Sequence, residues 1–265
     1  MDKQSFNKKA ENLVILTGAS SGIGEATWRL LASQGFHVIA LARRGNILER
    51  TGHEIRQSGG ETTWFACDLS DLPATQALSK TLLETYGAPD GIIFNAAACS
   101  GKTFEDNSAE DRAAEIGLNY LSPCAMLDVF LPAAKRKGAG KFIAVGSLSA
   151  LTSFPGNATY AASKSALASL WRSLDLEYEC SGMHFSLVLP GLTKTDMTEG
   201  LQTFLPRRSP HAVAQLIFET YKKPGFDQTC GVENKVILAI TRVFPSTTHK
   251  FISRFQTFLI PRKAD

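Results

Sequence analysis

A tyrosine and a lysine stand four positions apart in "TYAASKSAL", residues 159–167. On a helix that spacing makes Tyr160 and Lys164 neighbours on one face. A free phenol, with a pKa near ~10, is a sluggish acid or base at neutral pH. An adjacent ammonium favours the phenolate and lowers that pKa. The pair can therefore be read as an acid/base couple. Alone it is weak evidence, because this spacing arises by chance about once in every two or so chains of this length. A working site would also need a binding turn, an orienting donor and a frame to hold them.

The turn is present near the start. "LVILTGASSGIGEATWRLL" sets Gly18, Gly22 and Gly24 directly after an apolar run and at the opening of a helical pattern. Glycines let the backbone turn tightly and approach a pyrophosphate, whose charge then meets free N–H groups at the helix N-terminus. Strand before and helix after is the order such a turn requires. The next apolar run ends in "ALARR", with Arg43 and Arg44 and no acid before Glu49. A carboxylate there would accept from a ribose 2′-OH, whereas a guanidinium suits a 2′-phosphate. The pattern predicts NADP(H).

Short apolar runs alternate with helix-length stretches along the whole chain. Residues 13–17, 36–42, 62–67, 91–96, 141–147, 184–190 and 235–240 read as strands, apolar on both faces as in a covered parallel sheet. Stretches 22–34, 71–86, 107–135, 157–181 and 209–222 are long enough for crossover helices. This predicts an α/β doubly wound, Rossmann-type parallel sheet of about seven strands. No repeat or linker divides the chain, so 1–265 reads as one domain. Within it, 12–195 forms the core, 196–225 a substrate loop region and 245–262 an amphipathic helix.

Composition narrows the function. A net charge of +3 lacks the concentrated basic face of a nucleic-acid binder. Five scattered cysteines, with no CxxC and no His at ligand spacing, predict no metal site and suit reduced thiols in the cytoplasm. The opening "MDKQSFNKKAEN" lacks the apolar core of a signal peptide, and no run approaches the ~20 apolar residues of a spanning helix.

Thr17-Gly18-Ala19-Ser20-Ser21-Gly22-Ile23-Gly24 is spaced GxxxGxG, which resembles the cofactor turn of the short-chain dehydrogenases/reductases. Asn119, Ser147, Tyr160 and Lys164 occur in the order of that family's catalytic tetrad, and Pro190-Gly191 matches its later turn. The resemblance covers residues 12 to 195. It implies that Gly18, Ser20, Ser21, Gly22, Ile23 and Gly24 line the cofactor, with Asp68 and Leu69 at the adenine. It places Asn95 and Ala96 near the ribose, although Phe94 and Ala97 depart from the usual Asn-Asn-Ala-Gly. Pro190 and Gly191 would form the turn beside the cofactor, Thr193, with Thr195 as an alternative, would bind the carboxamide, and Lys164 with Tyr160 would meet the nicotinamide ribose. Ser147 would donate to the substrate oxygen while Tyr160 supplies the proton. Pro123 removes the N–H that would bond the Asn119 carbonyl, four residues back, and should kink the helix there. In similar enzymes a water at that carbonyl links the lysine to solvent.

Leu148 and Phe154, with Met197, Leu201, Phe204 and Leu205 in the loop, are apolar where substrate would lie. The expectation is an NADPH-dependent reductase of an apolar ketone or aldehyde. Oxidation of a secondary alcohol or sterol-like substrate, or an idle NADP-binding sensor or scaffold, remains as an alternative. By family analogy a homodimer or homotetramer would form through 107–135 and 157–181. "HKFISRFQTFLIPRK" carries an apolar stripe at 251, 252, 255, 258 and 259, with Lys250 and Arg254 off it. Packing on the body or a sister subunit is favoured over a substrate lid, and both over a membrane surface.

Overall fold

Leu13 and Ile15 point to one side of the first strand, Val14 and Leu16 to the other, and all four are buried. Period-two alternation with both faces covered is what a central parallel strand requires. The computed structural model describes residues 12–152, 154–199, 201–202, 206–259 and 262–263. Six parallel strands form the sheet: β1 (Leu13–Thr17), β2 (His37–Ala42), β3 (Thr62–Ala66), β4 (Gly91–Phe94), β5 (Gly140–Val145) and β6 (Met183–Val188). Their order is β3-β2-β1-β4-β5-β6. The order reverses between β1 and β4, and ligands of such sheets bind at the strand ends beside that reversal.

Helices cover both faces. On one side lie α1 (Gly22–Ser33), α2 (Gly45–Gln57) and α7 (Pro210–Lys222), with Trp28, Leu48 and Ile217 among the buried side chains. On the other lie α3 (Leu72–Tyr86), α5 (Ser122–Lys137) and α6 (Ala158–Glu177), with Leu82, Phe130 and Trp171 buried. Helix α4 (Ala109–Ile116) runs into α5 through a π-helical turn at Gly117–Leu121. The whole stretch Ala109–Lys137 is long and apolar enough to span a membrane, but it is half buried here and α5 packs on α3. The α2 segment carries few apolar residues and an interior Gly52, so its helix is faint in the sequence. Gly52 is fixed by contact, since a Cβ there would lie 2.2 Å from the Trp64 ring.

The seventh strand expected at 235–240 is instead part of α8 (Val232–Val243). A short apolar run satisfies helix and strand equally, and flanking residues decide. Gly231 precedes the helix, Glu233 sits in its first turn and Arg242 in its last, all favourable to a helix and its dipole. The free edge of β6 is partly covered by the segment that precedes α8. Leu187 N–H donates to Gly225 O and Leu189 N–H to Gln228 O. Helix α9 (Pro245–Leu259) follows, and Leu201–Gln202 pairs with Arg262–Lys263 in a two-residue ribbon.

Candidate active site

Every element of the expected site ends at the same edge of the sheet. Residues Gly18, Arg44, Asn95, Ser147 and Pro190 each lie just beyond the C-terminal end of a strand. At the first of these, Gly18 has φ +70° and Gly22 φ +55°, the left-handed region that favours glycine. A Cβ on Gly18 would lie 2.8 Å from Ala96 Cα, and one on Gly24 2.0 Å from Gly18 O. These close approaches leave room only for a bare backbone at the start of α1. Ser21 caps that helix in extended conformation without a side-chain bond to its N–H groups, which stay available to an anion. A dinucleotide pyrophosphate fits this cradle.

Thr17 and Asn95 join the β1 and β4 turns. Asn95 N–H and Ala96 N–H donate to Thr17 Oγ1 at 2.9 and 3.0 Å. The Asn95 amide donates to Thr17 O and Gly18 O at 3.1 and 3.2 Å. Asn95 therefore shapes the glycine turn. Thr17 plays the same part; "LTG" gave no hint of it, because its partners are 78 residues away.

Both arginines sit where the sequence placed them. Arg44 donates to Ser20 Oγ (3.1 Å), Ser20 O (3.3 Å) and Ser21 Oγ (2.6 Å). Arg43 lies 3.9 Å from Asp68, and Asp68 accepts from the Ser70 hydroxyl at 2.7 Å. Those hydroxyl and amide bonds from Ser70, together with Arg43, hold the Asp68 carboxyl below its usual range. Leu69 is buried. Two cations and the Ser20 hydroxyl at the end of β2 match the charge and donor needs of a 2′-phosphate.

The tetrad converges as well. Ser147 follows β5; its hydroxyl accepts from Ser149 N–H (3.1 Å) and is hydrogen-bonded to the Tyr160 phenol. Lys164 is buried, its Nζ 5.9 Å from the Tyr160 ring centre and donating to Val145 O at 2.9 Å. Burial pushes the Lys164 ammonium down to about 8. Tyr160 differs from expectation. Burial raises the phenol to about 12, the Ser147 bond opposes this, and nearby Cys99 and Glu115 push it further up. The ammonium is turned to the Val145 carbonyl, so the chain's own groups keep the phenol protonated. Glu115, a buried acid one helical turn before Asn119, was not anticipated. A lone acid in a helix gives no sign in sequence that it will face the site.

Asn119 is fully buried in the π-helical turn. Its side chain accepts from Ala98 N–H (2.8 Å) and donates to Ala98 O and Ser163 Oγ (both 2.9 Å). The expected kink is thus a change of helical register. Ser122 N–H reaches Gly117 O, five residues back, and Pro123 has no N–H to offer Asn119.

Beyond β6, Pro190 O accepts from Leu148 N–H (3.2 Å), tying the serine loop to the Pro190-Gly191 turn. Thr193 is buried and donates to Gly191 O at 3.1 Å. Thr195 faces the glycine turn, since a Cβ on Gly22 would meet its Cγ2 at 2.8 Å. Leu148 packs on the core, Phe154 is half-buried and Met197 is exposed. Leu201 lies in the ribbon with Arg262–Lys263, and Phe204 and Leu205 lie outside the described residues.

Comparison with known proteins agrees with this geometry. The sequence profile of the short chain dehydrogenase family matches residues 12–205. The chain belongs to that family. It is accordingly an oxidoreductase, and members of the family act on small-molecule substrates. The oxidoreductase UcpA of Salmonella typhimurium is 32% identical over 197 residues, covering 74% of each chain. A fatty acyl-CoA reductase of Acinetobacter baylyi is 29% identical over 233 residues, 83% of this chain and 79% of the relative. A metagenomic short-chain oxidoreductase crystallised with NADP superposes with a TM-score of 0.73 at 28% identity, covering 85% of this chain and 98% of that one.

Proposed function

We propose that this short-chain dehydrogenase is an NADPH-dependent carbonyl reductase acting on an apolar ketone or aldehyde. The observation that carries the reading is the Tyr160 phenol, hydrogen-bonded to Ser147 with Lys164 behind it; the reducing direction rests on the NADP(H) preference and not on any residue of the tetrad. The cofactor is NADP(H), for which the Arg43, Arg44 and Ser20 group and the NADP-bound relative both speak. When bound, it supplies the hydride. Ser147 donates to the substrate oxygen and steadies developing charge, and Tyr160 delivers the proton to that oxygen. Lys164, with its lowered pKa, sits behind the phenol and can exchange a proton near neutrality. The Asn119 carbonyl, denied its helical donor by Pro123, is an acceptor for a water that completes the path.

The fatty acyl-CoA relative and the apolar Leu148, Phe154 and Met197 support an apolar substrate. A groove of about 520 Å³ between α5 and α6, lined by Leu127, Leu131, Leu170 and Leu174, supports a homodimer or homotetramer. Five free thiols suit a cytoplasmic setting. The deciding assay is NADPH oxidation with a series of aliphatic aldehydes and ketones of increasing length. Turnover should rise with chain length, and Tyr160→Phe should lower kcat by about 10²–10⁴ while NADPH still binds. Full activity in Tyr160→Phe would refute the mechanism, and no dependence on chain length the substrate class.

A further inference from the structure

Helix α8 turns an apolar stripe outward. Val232, Val236, Ile240 and Val243 follow at i, i+4, i+8 and i+11, which is one face of a helix. They are between 47% and 75% exposed, and Phe244 beyond them is 58% exposed. The opposite face, Asn234, Leu238 and Thr241, is buried against the body. Helices of soluble domains normally face the other way, and a stripe of this size marks a contact surface.

Basic residues dominate the charge around it. Residues 234–263 contain six Lys or Arg and no Asp or Glu. Lys235 and Arg242, seven apart, flank the stripe on one side. Lys250 and Arg254 continue the exposed basic surface onto α9. Arg242 and Arg172 share the single carboxylate of Asp227, so the local charge stays positive. Glu233 is already paired with Arg208.

We propose that this face rests on an anionic lipid surface, with the α8 stripe at the acyl boundary and the basic residues among the headgroups. Exposed aliphatic side chains bordered by Lys and Arg stems suit that boundary. A second copy of the chain suits it less, because a two-fold contact through this face would set the basic residues against one another. The start of α8 is keyed to the catalytic edge: a Cβ on Gly191 would lie 2.4 Å from the Asn234 side chain. If the substrate is apolar, a point that rests on the function proposed above, this places the cleft beside the phase in which it dissolves.

Vesicle flotation of the full chain tests this without any turnover, so its outcome is separate from that of the reductase assay. The vesicles are phosphatidylcholine alone or with about one third phosphatidylserine. The wild type should float with the anionic vesicles and sediment with the neutral ones. Binding should fall about tenfold in the Val236→Glu, Ile240→Glu double variant. It should fall roughly fivefold in Lys235→Glu, and again on raising salt from about 0.1 to about 0.5 M. All three positions are exposed, and an unchanged thermal midpoint confirms that each variant folds. Sedimentation of the wild type with both vesicle types would overturn the proposal. So would undiminished flotation of the double variant. A wild-type dimer that this variant splits, without vesicle binding, would assign the face to a second copy instead.

Discussion

Replacing Arg44 with alanine should turn a cofactor-selective enzyme into an indifferent one. The guanidinium makes three hydrogen bonds, all to Ser20 and Ser21, and its side chain is 44% exposed. A hydrogen bond to a charged group contributes about 1.5–3 kcal/mol, and solvent screening at this exposure favours the lower half of that range. Arg44→Ala should therefore weaken NADPH binding by about 10–30-fold. NADH lacks the 2′-phosphate, and its affinity should change less than about threefold. Arg43, at 79% exposure, should be worth at most about fivefold. Arg44→Lys keeps the charge without the planar fork and should fall between wild type and alanine. The assay is titration of reduced-nicotinamide fluorescence, with kcat/KM for each cofactor measured alongside. An equal loss for both cofactors would refute the reasoning. It would mean that Arg44 acts by bracing the glycine turn through Ser20 and Ser21, not by reading the phosphate.

Gly18→Ala forces a side chain into φ +70° and against Ala96 Cα. The strain of about 1–2 kcal/mol should lower the thermal midpoint by several degrees and weaken both cofactors alike, as read by calorimetry and titration. Lys164 gives a pH signature. Its folded pKa, about 8, lies below the ordinary 10.5, so between those values the unfolded chain holds a proton that the native state has released. Stability from this residue therefore rises with pH across that window, by about 3 kcal/mol, and the penalty is full below it. Raised thiols at Cys67, Cys124 and Cys230 act in the opposite sense, so the reading is the difference between wild type and Lys164→Met in urea unfolding. Parallel pH profiles for the two proteins would contradict the assignment of the shift to Lys164.

What was legible in the sequence is what depends on near neighbours. The glycine turn could be read because strand, turn and helix follow within a few residues, and left-handed backbone at Gly18 requires glycine. Tyr160 and Lys164 could be paired because four residues make one helical turn. Arg43 and Arg44 could be placed because a strand end lies at a known edge of the sheet. The tertiary structure alone decided the rest. "KVILAI" is apolar throughout and fits either period, so the run itself left helix or strand open; in the fold Leu238 turns inward and Val236 outward, as on a helix favoured by its flanks. Tyr160 was expected to be acidified by its lysine. Its burial beside Cys99 and Glu115 reversed that, because desolvation depends on everything packed around a group and not on the residue four places away. Thr17 holds two turns of the site together for the same kind of reason: its partners come from β4, and contacts across 78 residues leave no local mark.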